Sequence, residues 1–407
     1  MPNRVLLILP TRTYRAAAFL TAARRLKLEV VVAAEEGSTL SHLHPDQELV
    51  IDLDDPLAAA QVVAERAGNR QIDAVVPVDD AAVLAAAQIA ERLGLRGSPV
   101  QAVAATRNKL AMRECLQTGA VDQLRWWLWP GGADPGPVEF PAVIKPLDQA
   151  ASRGVIRVDD RSQLLRAGQR IRRGLSADPG CPTAPDATPL LVEEFVAGPE
   201  VALEGLLMDG ALRVLAVYDK PDPLDGPFFE ETIYTVPSEL PADRLNQVST
   251  AVQRATRAIG LTDGSVHAEL RLGRQMPCLI DLASRSIGGR CSAVLHFQSG
   301  RSLEEIVLLA ALGEGPGDLA LEEGTCGVMM MPIPRAGTLL SVDGRERALE
   351  LPGVDGVELT VPLGGRLLPL PEGDRYLGFI FAHGQDAQTV SSRLRAAYRD
   401  LRISIGD

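Results

Sequence analysis

No stretch of 18 or more apolar residues occurs in the 407-residue chain, so neither a membrane span nor a membrane partner is expected. The opening residues, M-P-N-R-V-L-L-I-L-P, are too short an apolar run for a secretory signal and lack a small-residue cleavage site. They read as a first buried strand, and a cytoplasmic location is expected. Cysteine is scarce: the five, at 115, 181, 278, 291 and 326, are odd in number and show no metal-finger spacing. That argues for a reduced setting and against a disulfide framework. Positive charge is in deficit, 41 Lys and Arg against 53 Asp and Glu, giving a net charge of −12. So acidic a chain is a poor non-specific binder of nucleic acid, and no nucleic-acid partner is expected. The first strand-to-helix turn, P-T-R-T-Y-R, lacks G-x-G-x-x-G, which removes the main support for a Rossmann dinucleotide site. Aromatic residues make up only 4%, which sets off R-W-W-L-W-P, where Trp126, Trp127 and Trp129 are the only tryptophans. Such density marks a packed core or an interface, and an interface would admit a homodimer.

What is present suffices for globular cores, with 46% apolar residues, and the length implies two or three domains. Apolar runs at 4–10, 28–33, 49–53 and 74–78 alternate with helical patterns at 14–27, 56–67 and 80–93. That alternation predicts a parallel sheet with helices on its faces. Asp79 and Asp80 end the fourth strand, where open sheets place ligands; they suit a helix cap better. Residues 141–158 read as a strand ending at Lys145, a small-residue turn with Ser152, Arg153 and Gly154 at its tip, and a second strand. Small residues at a turn let backbone N–H groups approach phosphate. Residues 174–189, rich in Gly, Pro, Ala and Asp, read as an exposed insertion. Residues 190–204 read as a strand, a turn at Gly198 and Pro199, and another strand.

The stretch 266–292 concentrates the chemistry. It reads V-H-A-E-L-R-L-G-R-Q-M-P-C-L-I-D-L-A-S-R-S-I-G-G-R-C-S. Two apolar runs flank a turn at 273–277, which predicts an antiparallel hairpin with Glu269 on one strand and Asp281 on the other. Carboxylates on paired strands can share a hard cation. They are equally found as solvated rungs, or as partners of arginines such as Arg271 and Arg274. Arg285 follows Asp281 by four residues and could hold an anionic group beside such a metal.

In order along the chain, Lys109, V-I-K-P with Lys145, S-R-G-V, V-E-E-F-V-x-G-x-E, H-x-E and D-x-A-x-R resemble the ATP-grasp superfamily over about residues 100–312. H-A-E-L-R followed by D-L-A-S-R-S-I-G-G is similar to the L-amino-acid ligase branch, as are the 219–238 segment with F-F-E-E-T and the G-F-I-F-A at 378–382. The resemblance implies a mixed α/β (α+β) fold in three parts. These are an N-terminal parallel-sheet α/β domain (1–108), a small lid (109–195) and a C-terminal antiparallel-sheet domain (196–407), with nucleotide between the last two. It implies ATP and Mg²⁺ (or Mn²⁺) as cofactors. Lys109 and Lys145 would contact ATP phosphates, and Ser152, Arg153 and Gly154 would lie in the lid loop. Glu193, Glu194, Phe195 and Val196 would form the adenine-side hinge, and Glu200 would bind ribose. Glu269 and Asp281 would hold the metal, while Arg285 and Gly288 would hold an acyl phosphate. Glu230, Glu231 and His267 are candidates for the substrate side and the amine proton. Gly289 stands where some relatives carry a bulky residue, which implies a roomier substrate pocket.

The implied activity joins a small carboxylic acid, such as an amino acid, to an amine, with ADP and phosphate released. Two other readings fit the same order of motifs. A biotin-carboxylase-like subunit would need its carrier elsewhere, because Met329-Met330-Met331-Pro332 contains no lysine. A non-catalytic nucleotide-binding protein would bind ATP without turnover.

Overall fold

The computed structural model describes residues 2–11, 13–37, 47–66, 71–132, 134–177 and 187–407. Most of the expected insertion at 174–189, Cys181 within it, Arg12 of the first turn and the end of the helix expected at 56–67 lie outside the described residues.

Four parallel strands, Glu48–Val50, Glu29–Ala34, Arg4–Leu9 and Ala74–Pro77 in that spatial order, form the first sheet. Alternation along Arg4–Leu9 sends Val5 and Leu7 toward helix Ala16–Arg25, and Leu6 and Ile8 toward helices Pro56–Arg66 and Val83–Leu93. Apolar at every position from Val5 to Leu9, the strand is thus buried on both faces, as its composition predicts. Asp79 caps the short turn of helix after the fourth strand by accepting the Asp80 N–H.

The second sheet is antiparallel, in the order Trp126–Trp129, Leu190–Glu194, Ala142–Pro146, Ile156–Val158. Helix Arg161–Ser176 covers it. Trp129 lies in this core with Leu164, Ile171 and Val192, Trp127 packs beside it, and the Arg172 guanidinium stacks 4.2 Å from the Trp129 ring. The tryptophan-rich strand therefore builds the core of this small unit.

The third sheet has eight strands, antiparallel at every pairing. Their order is Cys278–Ala283, Gly264–Arg271, Glu200–Met208, Ala211–Lys220, Ile233–Val236, Thr325–Met331, Gly378–Gly384, Val354–Leu359. Val201, Leu203, Val266, Ala268 and Leu270 point to one face, under helix Ala242–Ile259. Ala202, Leu206 and Ala216 point to the other, where they meet helix Leu303–Ala311 and Val5, Leu7 and Phe19 of the first unit. The first unit is thereby joined to the large sheet by one continuous core. Helix Lys109–Thr118 packs Met112 and Leu116 against Val248 and Val252, so its core is that of the large sheet rather than of the lid strands. A small sheet, Arg366–Leu367, Gly337–Asp343 and Arg402–Gly406, packs with helix Ala387–Asp400 at the C-terminal end.

The link from the second sheet to the third passes Gly198, which meets the tip of the expected hairpin at Gly273. A Cβ on Gly273 would sit 1.5 Å from the Ala197 carbonyl oxygen, so only glycine fits. Leu272 N–H also donates to Pro199 O, at 2.8 Å. Gly273→Ala is expected to force the link apart and to cost about 1–3 kcal/mol. Urea unfolding measures this, and a variant as stable as the wild type contradicts so close an approach.

Candidate active site

Because side chains alternate along a strand, V-H-A-E-L-R sends His267, Glu269 and Arg271 to the face opposite Val266, Ala268 and Leu270. Glu200 and Glu204 join them from the neighbouring strand, and Lys220 from the one beyond. Lys220 Nζ stands 2.7 Å from Glu200, 2.7 Å from Glu231 and 2.9 Å from Glu269. The three carboxylates lie within 4.8 Å of one another. Tyr234 and Tyr376 hydroxyls donate to the two oxygens of Glu231, at 2.6 and 3.2 Å. Glu200 also accepts from Arg271 Nε at 2.7 Å.

These contacts set the charge states. Burial would strip the proton from Lys220, but the three carboxylates overcome it and hold the ammonium well above its ordinary range. Burial would also protonate Glu269, but Lys220 holds it far below the usual carboxylate range. Glu231 is instead pushed up, by burial and by the charge of Glu269.

A second charged group lies where the lid meets the large sheet. Lys145, 3% exposed, pairs with Glu193 on the adjacent lid strand. Arg113 donates to Glu193 at 2.7 Å and to the carbonyls of Leu279 and Ile280 at 3.0 and 2.7 Å. That arginine ties a lid strand to the strand carrying Asp281, and explains the place of helix Lys109–Thr118. Lys109 Nζ donates to Gln149 O at 2.6 Å and lies 3.8 Å from Asp281. Burial lowers Lys145 although Glu193 opposes it. Burial would raise Asp281, but Lys109, Lys145 and Arg113 bring it below its ordinary value.

Glu269 and Asp281 are direct register partners, with a bulge immediately after Glu269. Their contacts differ: Glu269 faces Lys220 and Asp281 faces Lys109. His267 Nε2 lies 3.7 Å from Glu269. Arg285 Nε donates to Asp80 at 3.3 Å, and Asp80 also pairs with Arg107. A Cβ at Gly288 would meet nothing within 4 Å, so the backbone there is open to approach. Gly289 has φ +59°, and a Cβ on it would lie 2.8 Å from Met330 Sδ.

In the hinge, the Glu194 carboxylate accepts from Arg125 N and Nε at 2.7 and 2.9 Å and from Arg274 at 2.6 Å. Phe195 donates its N–H to Pro141 O, and the Arg157 guanidinium lies 4.2 Å from its ring. Val196 packs with Leu124 and Cys278. At the lid tip, Ala151, Ser152 and Gly154 all have positive φ. Gly154 N–H donates to Pro371 O at 2.8 Å, Arg153 Nε to Glu372 O at 3.2 Å, and Arg170 grips the Glu372 carboxylate. Glu230 stands apart from Glu231: its carboxylate accepts from the Ile333 backbone, and burial pushes it up.

Sequence reasoning gave no role to Lys220, Arg113, Tyr14, Arg15 or Glu204. Each meets its partners only through strands or helices distant in sequence, and no local spacing signals the meeting.

Residues 138–294 match the family model of the ATP-grasp domain, residues 20–97 that of the ATP-grasp N-terminal domain, and residues 329–406 that of the L-amino acid ligase C-terminal domain 2. Alanine–anticapsin ligase of Bacillus subtilis is 26% identical over 264 residues, which cover 61% of this chain and 53% of the relative. Carnosine synthase 1 of Gallus gallus is 29% identical over 303 residues, covering 69% of this chain and 32% of the relative. The chain thus spans about half, or less, of the length of these two relatives. The crystal structure of an L-amino acid ligase from Bacillus licheniformis superposes with a TM-score of 0.84 at 26% identity, over 100% of this chain and 99% of that one. The chain belongs to the ATP-grasp superfamily, as an enzyme of its C–N bond-forming ligase class. Within that class it resembles the L-amino-acid ligases, on its C-terminal domain and its full-length structural match. Among the described residues, no helix is long and apolar enough to cross a membrane.

One electrostatic consequence is directly measurable. Glu204 is sealed from solvent and pushed up to about 8 by burial, against the pull of the Ile287 N–H, Arg15 and Arg285. Below the ordinary value of 4.5 both folded and unfolded chains carry the proton. Between 4.5 and about 8 the unfolded chain binds fewer protons than the folded one. Stability therefore falls as pH rises through that window, and levels off above it. Glu204→Gln has no such slope. Its melting temperature relative to wild type is expected to rise between about pH 5 and pH 8. Parallel melting curves across the range contradict a neutral Glu204.

Proposed function

We propose that the protein activates a small carboxylic acid, such as an amino acid, with ATP as an acyl phosphate and joins it to an amine. The observation that carries this is the convergence of Lys109, Lys145 and Asp281 at the lid junction, beside a Glu269 cluster on the same sheet face. In the first step a carboxylate oxygen attacks the γ-phosphorus, and the bond to ADP breaks. In the second the amine nitrogen attacks the acyl carbon, and phosphate leaves with the C–O bond electrons. Carboxylates are poor electrophiles, and phosphorylating the carboxylate oxygen turns it into a leaving group, which is what makes the acyl carbon attackable.

Such transfer relies on positioning and on neutralising charge. Lys109 and Lys145 offer point charges to phosphate, and Arg285 a planar grip on an oxyanion. Glu194, fixed by Arg125 and Arg274, and Phe195, flanked by arginines, give the adenine side a rigid hinge. Both Glu200 oxygens already accept from cations, so ribose hydroxyls would use its remaining lone pairs. The lid tip, docked on Pro371 and Glu372, would keep water from the acyl phosphate. Glu231, within the Glu269 cluster, and His267, 3.7 Å from Glu269, would handle the amine proton.

The residues fit a divalent ion. Glu269 and Asp281 are register partners with hard oxygen donors, and Glu269 belongs to a carboxylate group with Glu200 and Glu231 whose oxygens lie within 4.8 Å of one another, where a metal would take the place of the Lys220 ammonium. Mg²⁺ or Mn²⁺ held there would neutralise phosphate charge.

The test is ADP release with Mg-ATP and a panel of amino acids and amines. Lys145→Ala and Glu269→Ala are each expected to lower kcat by about a hundredfold or more. Turnover that survives both substitutions removes the proposal.

A further inference from the structure

The turn that carries Arg285 and Gly288 leaves the sheet at Ala283 and has no strand partner of its own. It is held instead by side chains from elsewhere in the chain. Arg15, 3% exposed and set just before the first helix, donates through Nη1 to Ser286 O at 3.2 Å and through Nη2 to Ser286 Oγ at 2.5 Å. The same Nη1 donates to Val78 O at 3.1 Å, which anchors it to the end of the fourth parallel strand. Tyr14 OH accepts the Gly289 N–H at 3.2 Å, and Asp80 accepts from Arg285. From the opposite side Glu204, with no exposed surface, accepts the Ile287 N–H at 2.8 Å. The next peptides turn sharply, with φ +59° at Gly289 and +57° at Arg290.

We propose that Arg15 and Glu204 are positioning residues, which grip the backbone of 286–287 from two sides and so aim Arg285 and the Gly288 peptide at the acyl group. The inference rests on the reading of Arg285 and Gly288 as the acyl-phosphate grip. The fork divides its contacts, Nη1 to the Ser286 and Val78 carbonyls and Nη2 to the Ser286 hydroxyl, a spread that the single nitrogen of a lysine does not reproduce. Only an acceptor at 204 satisfies the buried Ile287 N–H, and an apolar side chain there leaves that donor unpaired. Glutamine keeps the acceptor. The first α/β unit therefore takes part in the site through this grip, although it carries none of the residues proposed to touch ATP.

The experiment uses the full chain with Glu204→Leu, Glu204→Gln and Arg15→Lys. Three readouts are taken: hydrogen exchange of a peptide spanning 284–290, acid-dependent ADP release, and ADP affinity by calorimetry. Glu204→Leu and Arg15→Lys are expected to speed exchange in that peptide and to lower kcat about ten- to a hundredfold, with ADP affinity unchanged. Glu204→Gln is expected to match the wild type in all three. Wild-type exchange in Glu204→Leu, or losses in Glu204→Gln as large as those in Glu204→Leu, overturn the proposal. Should Glu204→Leu fail to fold, Arg15→Lys decides by the same criteria. Should the wild type turn over no acid–amine pair, the ligase reading fails while the exchange data still decide the positioning role.

Discussion

Four charges packed into one corner of the large sheet govern the rest of the molecule. Lys220 stands among Glu200, Glu231 and Glu269; the four together come from three different strands and from the segment just before a fourth. Stripping charges of water costs several kcal/mol each unless every one finds a partner in good geometry. The strands must therefore hold their register, because a slip of one residue would turn each charge into the apolar face. That face is closed by helix Ala242–Ile259, and the opposite one by helix Leu303–Ala311 and the first α/β unit. The sandwich fixes the register, and the register brings the charges together.

Around that corner the other units work as clamps. The lid strand Leu190–Glu194 is tied to strand Cys278–Ala283 by one buried arginine, Arg113. The lid tip is tied to the C-terminal region by Gly154, Arg153 and Arg170. The Arg157 backbone and guanidinium fasten a further lid strand to Pro227 and Asp225. Two non-glycine residues at the tip, Ala151 and Ser152, take the left-handed conformation, at a cost of roughly 1–2 kcal/mol each. Contacts made by the surrounding loops must offset that cost.

Much of the architecture was legible in the sequence, for identifiable reasons. The runs at 4–10 and 74–78 announce a buried parallel strand because every position after Arg4 is apolar. V-H-A-E-L-R announces the opposite, a strand with one polar face, and the structure places Glu269 and Asp281 directly across from each other. The tryptophans left two options open; the strand Trp126–Trp129, paired with Leu190–Glu194, places Trp129 in the lid core with Trp127 packed against it. The partners of Glu200 were not legible. Lys220 is twenty residues away on the next strand, and Arg271 is farther still, so both contacts depend on strand pairing that no local pattern specifies. Nor does P-T-R-T-Y-R, an unremarkable turn in the sequence, disclose that Tyr14 and Arg15 reach a turn some 270 residues later.

Anomalous diffraction from crystals grown with ADP and Mn²⁺ tests the central claim most directly. The expected result is a manganese peak held by Glu269 and Asp281, with nucleotide between the lid sheet and the eight-stranded sheet. Nucleotide bound in that cleft with the metal seated away from both carboxylates would contradict it.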